Sequence, residues 1–505
     1  MAANKALDEI AAKVEHLVTE HGPRAIALYT GTYAFPYPAG STMAGAFMDA
    51  IGSPMRFTSG SIEQPGNPMA IAFHGRWHAG PQAFAESDTW MLVGANPVVS
   101  KWGGIPQYNP GKRLHDALKR GIKLIVIDPR ETESARRAHL HLQCKPGEDP
   151  TILAGIINVI INEELYDADF IAGDVAGFDA LKAAVADYTP DYVARRAAVP
   201  AQQILEAARV YAAGTRGMTT AGTGPNMAPR GTLSEYLVLV INTLCGRWLR
   251  EGEKMPNPFV LLPERIGRAQ AEPKPEAWGF GEQLRVRGLA DSVSGLTAAA
   301  LADEILLEGE GQVKGLFSVG GNPMVAWPDQ LKTYDAMRTL ELNVALDIKL
   351  SATAKLADYV LPPKIGLETP AMSQPNEGIW FYGFSTGFPE PYAMYQPQLI
   401  DPPKDSDLLE EWEVFYGIAQ RMGLELTFAG QSLDMVNKPT TDDLLELLCV
   451  GSRIPLAEVK KYPHGHIFDD PAITVLGKEE GWEEKLDVGN ELMMAELGEV
   501  REEPV

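Results

Sequence analysis

Thr89-Trp90-Met91-Leu92-Val93-Gly94-Ala95-Asn96-Pro97 is the stretch whose reading decides the fold. The apolar run from Trp90 reads as a short strand closed by a Gly-Ala-Asn-Pro turn. A basic helix over 113–120 follows, and then a second strand over 124–127 that ends on Asp128-Pro129-Arg130. Strand, loop, helix and strand make a parallel unit. Open α/β sheets bind their ligands in the loops at the carboxyl ends of such strands.

The chain contains this unit twice. Leu316-Phe317-Ser318-Val319 leads into Gly320-Gly321-Asn322-Pro323, and the run 340–346 leads into Asp347-Ile348-Lys349. Ala135 and Ala138 stand seven and ten residues beyond Asp128, as Ala354 and Ala357 stand beyond Asp347. A basic residue, Arg130 or Lys349, sits two beyond each aspartate. Such self-similarity predicts two pseudo-equivalent halves. The expected fold is α/β: two Rossmann-like open, mostly parallel sheets flanked by helices and related by pseudo-two-fold duplication. Residues 1–62 with 313–435 are expected to form one dinucleotide-binding domain and 63–312 the other, followed by an acidic extension over 436–505.

Each copy has the chemistry of a nucleotide pocket. A Gly-x-Asn-Pro turn lets backbone approach a pyrophosphate, and the helix behind it offers free N–H groups and about half a positive charge. A carboxylate closing the next strand can accept from ribose hydroxyls or from a guanine edge. The plain alternative is an ordinary strand-to-helix turn that binds nothing; the matched pair weighs against it. Two copies imply two similar ligands, or one ligand with two similar ends.

A chain of 505 residues is long enough for two or three domains with full cores. Lys+Arg 44 against Asp+Glu 67 leaves a net charge of −23, which repels nucleic acid and anionic membrane. Local basic residues such as Arg113, Lys119 and Arg130 then stand out as anion contacts. Cys144, Cys245 and Cys449 lie far apart, with no iron–sulfur, zinc or disulfide spacing. No apolar run is long enough to span a bilayer. Helical spacing of Leu7, Ile10, Val14 and Leu17 starts the chain in mid-architecture. With no leader and no tail, the expectation is a cytoplasmic piece of a larger assembly.

Phe57-Thr58-Ser59-Gly60-Ser61-Ile62-Glu63-Gln64-Pro65-Gly66 places a carboxylate among small residues before a Pro-Gly turn. A helix is expected over 69–80 with His74 and His78 four apart on one face. They could hold zinc, but helix histidines with satisfied partners, or groups supporting the site, are the better reading. Cys144-Lys145-Pro146-Gly147-Glu148-Asp149-Pro150 exposes two carboxylates before a helix. Asp149 sits where an N-cap belongs, or recognises base or ribose beside the Asp128 loop. The glycine-rich loop 219–231 is a third candidate anion contact. Residues 251–297 read as a surface excursion, 380–403 as surface chain without regular structure, and 439–505 as an acidic tail with few core signals.

Taken together, residues 90–100, 126–132, 146–149, 222–226, 321–323 and 357–362 resemble the molybdopterin oxidoreductases, the dimethyl sulfoxide reductase family, from about residue 4 to about residue 430. Members of that family bind one molybdenum or tungsten ion between two pterin guanine dinucleotides, which matches the duplicated pocket. The resemblance implies that Gly94, Asn96, Pro97, Asp128, Arg130, Thr132, Gly147 and Asp149 hold one dinucleotide. Asn322, Asp347 and Thr353 would hold the other, with Gly222, Gly224 and Asn226 reaching between. It places the protein metal ligand in 57–65, where Glu63 falls closest and Ser61 is the fallback; His74 and His78 would support the metal. A glutamate departs from the family's usual Cys, selenocysteine, Ser or Asp.

The family's opening iron–sulfur segment and closing β-rich cap have no counterpart here. The expectation is that partner subunits supply both, or that this is a truncated form, with no iron–sulfur cluster on this chain. The first functional reading is the central catalytic part of a molybdenum or tungsten enzyme performing two-electron chemistry on a small molecule. The second is a structural subunit of a redox complex that keeps the fold without metal. A nucleotide-dependent dehydrogenase ranks last, since no Gly-x-Gly-x-x-Gly follows a first strand.

Overall fold

The computed structural model describes residues 1–505 except residues 102, 381–389, 470, 504 and 505, and the side chains of 379 and 380. The strands that position the site are β1 (Ile26–Thr30), β2 (Arg56–Thr58), β3 (Thr89–Val93), β4 (Lys123–Ile127), β5 (Leu140–Leu142), β6 (Gly217–Ala221), β7 (Gly315–Val319), β8 (Leu342–Leu346) and β9 (Tyr359–Leu361). They form a five-stranded sheet in the order β9-β8-β7-β1-β2 and a four-stranded sheet in the order β5-β4-β3-β6. Every neighbouring pair is parallel.

The two sheets share order and register. In the first, Leu361, Leu346, Val319 and Thr30 stand in one row at the carboxyl edge. In the second, Leu142, Ile127, Val93 and Ala221 form the matching row. A slip of one residue would turn every side chain to the opposite face, so the shared register confirms the expected duplication. The strand β6 pairs with β3 as β1 pairs with β7. Thus the chain's first strand and a strand deep in its middle are counterparts.

All residues of β3, β7 and β8 are buried. Sheets covered by helices on both faces need such continuous apolar strands. Ile26, Leu28, Phe317 and Val319 face the helices Ala3–His21, Pro38–Ile51 and Glu411–Arg421, while Ala27, Tyr29 and Leu316 face the opposite layer. Phe47, Phe317 and Phe415 pack with ring centroids 5.9, 5.7 and 5.5 Å apart. Truncating any one of them to Ala should cost about 3–5 kcal/mol. The first helix buries Leu7, Ile10, Val14 and Leu17 as its spacing predicts, and Gly22, at φ 80°, ends it.

The end of the chain departs from expectation. Leu444, Leu445 and Val459 join the core of the first sheet, and Val475, Leu486, Val488 and Leu497 that of the second. Acidic composition hid these contacts, because the apolar groups are short and stand between charged stretches. Within 380–403, residues 381–389 lie outside the described residues. Beyond them Tyr392–Ala393 pairs with His466–Ile467 and Tyr395–Gln396 with Ala371–Met372, so that part is not free surface chain. The excursion 251–297 is anchored at Val260 and Leu261, which are buried in the first core. Among the described residues, no helix is long and apolar enough to cross a membrane.

Candidate functional site

The loops leaving the two carboxyl edges are built alike. Gly94 and Gly320 take φ of 57° and 58°, a left-handed turn that favours glycine. Asn96 and Asn322 follow at φ −128°, ψ 70° and φ −127°, ψ 80°, each before a single-turn helix, Pro97–Ser100 or Pro323–Ala326. The Asn96 Oδ1 accepts from the hydroxyl (2.8 Å) and the N–H (3.3 Å) of Ser134. The Asn322 Oδ1 accepts from the same two groups of Thr353, at 2.7 and 3.2 Å. Each asparagine thereby ties the loop after one strand to the loop after the next.

The aspartates are matched as well. The Asp128 Oδ1 accepts the Arg130 N–H at 2.8 Å and the Asp347 Oδ1 the Lys349 N–H at 3.2 Å. One oxygen of each is left for a ligand. Thr132 and Ser351 also correspond: each hydroxyl oxygen accepts a backbone N–H three residues on, from Ala135 at 3.1 Å and from Ala354 at 3.2 Å. The counterpart of Thr353 is therefore Ser134, a position the sequence reading did not single out. The signal was available, since Ser134 and Thr353 both stand six residues beyond their aspartate.

A third equivalence brings the halves together. Gly31 after β1 and Gly222 after β6 have no room for a side chain: an added Cβ would lie 2.4 Å from the Gly320 oxygen in one and 2.4 Å from the Gly94 oxygen in the other. The next residues, Thr32 and Thr223, both reach the segment 59–66. The Thr32 and Ser59 hydroxyls meet at 3.1 Å, and the Gln64 Nε2 donates to the Thr223 hydroxyl at 3.1 Å. The candidate ligand segment is thus held from both sides by counterpart threonines, between the two loop sets.

Within that segment Glu63 ends the single-turn helix Gly60–Glu63 and is exposed. Ser61 is buried; its hydroxyl donates to the Thr58 carbonyl at 3.0 Å and accepts the Ala298 N–H at 3.1 Å. Glu63 is the freer oxygen donor. Gly224 is exposed, whereas Asn226 is buried and uses both ends of its amide inside the protein. Its Oδ1 accepts the Gly66 N–H at 2.8 Å and its Nδ2 donates to Glu235 at 2.7 Å.

Gly147, at φ 88°, turns the chain toward the helix Asp149–Asn162. Glu148, not Asp149, holds the N-cap position, and it accepts from the Thr151 hydroxyl at 2.6 Å and from Arg196 at 2.8 Å. Burial and the neighbouring charges of Asp128 and Glu148 push the Asp149 carboxyl up to about 6. Burial raises Asp128 also. Arg130 is exposed, 4.0 Å from Glu133, and is available to an anion.

The helix expected over 69–80 spans only Gly66–His74, because Gly75 at φ 95° ends it. His78 therefore lies beyond it and does not share a helix face with His74. Burial keeps His74 uncharged, with its pKa near 4; its ring nitrogens lie 2.9 Å from the Gly75 carbonyl oxygen and 2.8 Å from the Thr243 hydroxyl. The His78 Nδ1 accepts the Arg268 N–H at 2.9 Å. Both rings have partners within the protein. No group of three or more His, Cys, Asp or Glu among the described residues is placed to hold a metal ion by itself.

These features fit a pair of nucleotide-bearing groups. Each loop set offers backbone packed too closely for any side chain, a carboxylate with a free oxygen, and an exposed cation at Arg130 or Lys349. The molybdopterin oxidoreductase family model matches residues 4–380. Acetylene hydratase of Syntrophotalea acetylenica is 28% identical over 86% of this chain and 60% of its own length. The molybdopterin-containing subunit of thiosulfate reductase from Salmonella typhimurium is 26% identical over 85% of this chain and 55% of its own. The chain thus spans between about half and two thirds of these relatives. The solved structure of acetylene hydratase from Pelobacter acetylenicus shares the fold, with a TM-score of 0.74 at 22% identity, over 98% of this chain and 67% of that one.

Proposed function

The chain belongs to the molybdopterin oxidoreductase family, and from that premise we propose that it is the central catalytic portion of a molybdenum or tungsten enzyme holding two pterin guanine dinucleotides. The observation that carries this reading is the pair of matched loop sets flanking the segment 59–66. Gly94, Asn96, Pro97, Asp128, Arg130, Gly147 and Asp149, with Ser134 added and Thr132 shaping the turn, would line one cradle. Asn322, Asp347 and Thr353, with Lys349, would line the other. When bound, the group supplies a metal that changes oxidation state by two electrons.

The chain's own residues then bind and orient. Asp128 and Asp347 each present one free carboxylate oxygen to hydroxyls or a base edge, and Arg130 and Lys349 offset phosphate charge. Gly222 and Gly31 bring backbone into contact where a side chain would intervene. Glu63, exposed between the halves, is the proposed metal ligand; His74 and His78 hold the surrounding backbone. The substrate is a small molecule. The relatives' names denote a hydration in one case and a thiosulfate reduction in the other, so the family alone does not set the reaction.

A partner subunit carrying an iron–sulfur cluster and a cap belongs to the same proposal, as does a cytoplasmic setting. Its support is an apolar rim. Val99 and Val325, counterparts in the two loop sets, are 61% and 67% exposed, and Phe35, Met227, Leu350 and Leu367 are exposed on neighbouring loops. Patches of this kind mark interaction surfaces.

Expression in a host that makes the cofactor tests the proposal. It predicts molybdenum or tungsten near one per chain, and a Glu63→Ala variant that retains pterin but loses turnover. A chain that takes up neither metal nor pterin would support the metal-free structural subunit instead.

A further inference from the structure

The helix Gly231–Leu244 carries a carboxylate that no reading of the cradles uses. Glu235 is buried and accepts the Asn226 Nδ2 at 2.7 Å. The Asn226 Oδ1 in turn accepts the Gly66 N–H at 2.8 Å. The contact is close on every side. A Cβ on Gly66 would lie 2.8 Å from the Asn226 Oδ1 and 2.9 Å from the backbone of Gly231, and a Cβ on Gly231 would lie 2.2 Å from the Asn226 carbonyl oxygen. Three elements therefore meet with no space between them: the segment 59–66, the loop after β6, and the start of the helix that bears Glu235.

We propose that Glu235 is a positioning residue for the site: through the Asn226 amide it fixes the Gly66 backbone, and with it the segment 59–66 that carries Glu63. An amide buried with both ends engaged cannot rotate without leaving a polar atom unpaired, which costs more than the bond is worth when formed. Glu235 supplies the acceptor that keeps Asn226 in the one orientation that presents its oxygen to Gly66. Gln64 adds a second tie, to Thr223 on the same loop. Burial raises the Glu235 carboxyl to about 7, so near neutral pH about half of it is uncharged. An uncharged acid and a glutamine side chain then have the same shape and the same acceptor oxygen for Asn226. Asn67, whose Oδ1 has no partner, and Thr219, whose hydroxyl has none, line a small cavity beside it. Asn67 also donates to the Glu235 carboxyl, and a water in that cavity can accept the acid's proton.

The inference deepens the proposed function, and its primary test does not depend on bound cofactor. Amide hydrogen exchange is measured on the purified full chain for wild type, Glu235→Ala, Glu235→Gln and Asn226→Ala. The expected result is exchange at least tenfold faster in peptides covering 60–67 and 222–228 for Glu235→Ala and Asn226→Ala. Peptides covering 315–346 should stay unchanged, and Glu235→Gln should remain within twofold of wild type throughout. Unchanged exchange over 60–67 in Glu235→Ala, or an equal rise everywhere, would overturn the proposal. So would a Glu235→Gln variant as loose as Glu235→Ala. In protein loaded with metal, the electron paramagnetic resonance signal of the half-reduced metal should shift in Glu235→Ala and return in Glu235→Gln. A chain that binds no metal would remove the proposed function and leave the exchange result standing.

Discussion

Asn109 before the helix Pro110–Arg120 and Asp329 before the helix Gln330–Thr339 take φ of 54° and 56°, and each accepts the N–H three residues on. Conformational detail thus matches well beyond the strand ends, while side chains in the two cradles have diverged in charge. The Nδ2 of Asn96 donates to Glu133 at 2.7 Å, whereas the position matching Glu133 is Ala352. Asp128 is buried beside the buried Asp149; Asp347 is half-buried on an edge with exposed Ile348, Lys349 and Leu350. Backbone geometry is what the two cradles have in common. Charge is where the two sites differ, so the first cradle is the acidic, enclosed one and the second the open, apolar-rimmed one.

The largest expected effects break the geometric half of this comparison. Gly31→Ala and Gly222→Ala should each lower stability by about 3 kcal/mol in urea unfolding, because both place a Cβ against a carbonyl oxygen of the partner loop. Each should also deplete bound pterin. If one is tolerated, the two glycines are not counterparts.

Charge is tested by pH. The Asp149 carboxyl is raised in the folded state, so the fold binds its proton more tightly than the unfolded chain does. Its contribution is full below the ordinary aspartate value near 4 and is lost as pH rises through about 6. Asp149→Asn should therefore flatten the fall in stability across that window by at most about 3 kcal/mol. A variant with the wild-type slope would show that the first cradle carries no such burden.

Smaller effects sharpen the comparison. Thr353→Val should cost about 2 kcal/mol, since its hydroxyl also accepts the Met324 N–H at 3.0 Å and that buried donor would be left unpaired. Ser134→Ala, which removes one hydroxyl bond to Asn96, should cost about 1 kcal/mol. Glu133→Ala should leave stability close to wild type. It frees the Asn96 amide, making the first cradle resemble the second; ligand retention is the readout.

Much of this was legible in the chain because repetition carries its own check. The Asn-Pro turns, the closing aspartates and the trailing alanines recur at fixed offsets, and those offsets gave the paired parallel sheets. The counterpart threonines were visible as Gly-Thr after a strand at 31–32 and 222–223, yet only pairing showed that both strands border the same kind of loop. Gly75 lay in plain view between His74 and His78, but the four-residue spacing of the histidines suggested one helix where a positive-φ glycine ends it. Glu235 left no trace, since one acid in an apolar helix reads as a solvated face until its neighbours are known. The resemblance implies a ligand contact at Asn226, and sequence alone does not show which way an amide is spent.

Two equivalent cradles around one central segment are the core of the proposed function. Acid hydrolysis of the loaded chain, with released guanosine monophosphate counted against metal, tests this directly. Two nucleotides per metal ion and per chain are predicted. One nucleotide per metal, or none, would contradict it.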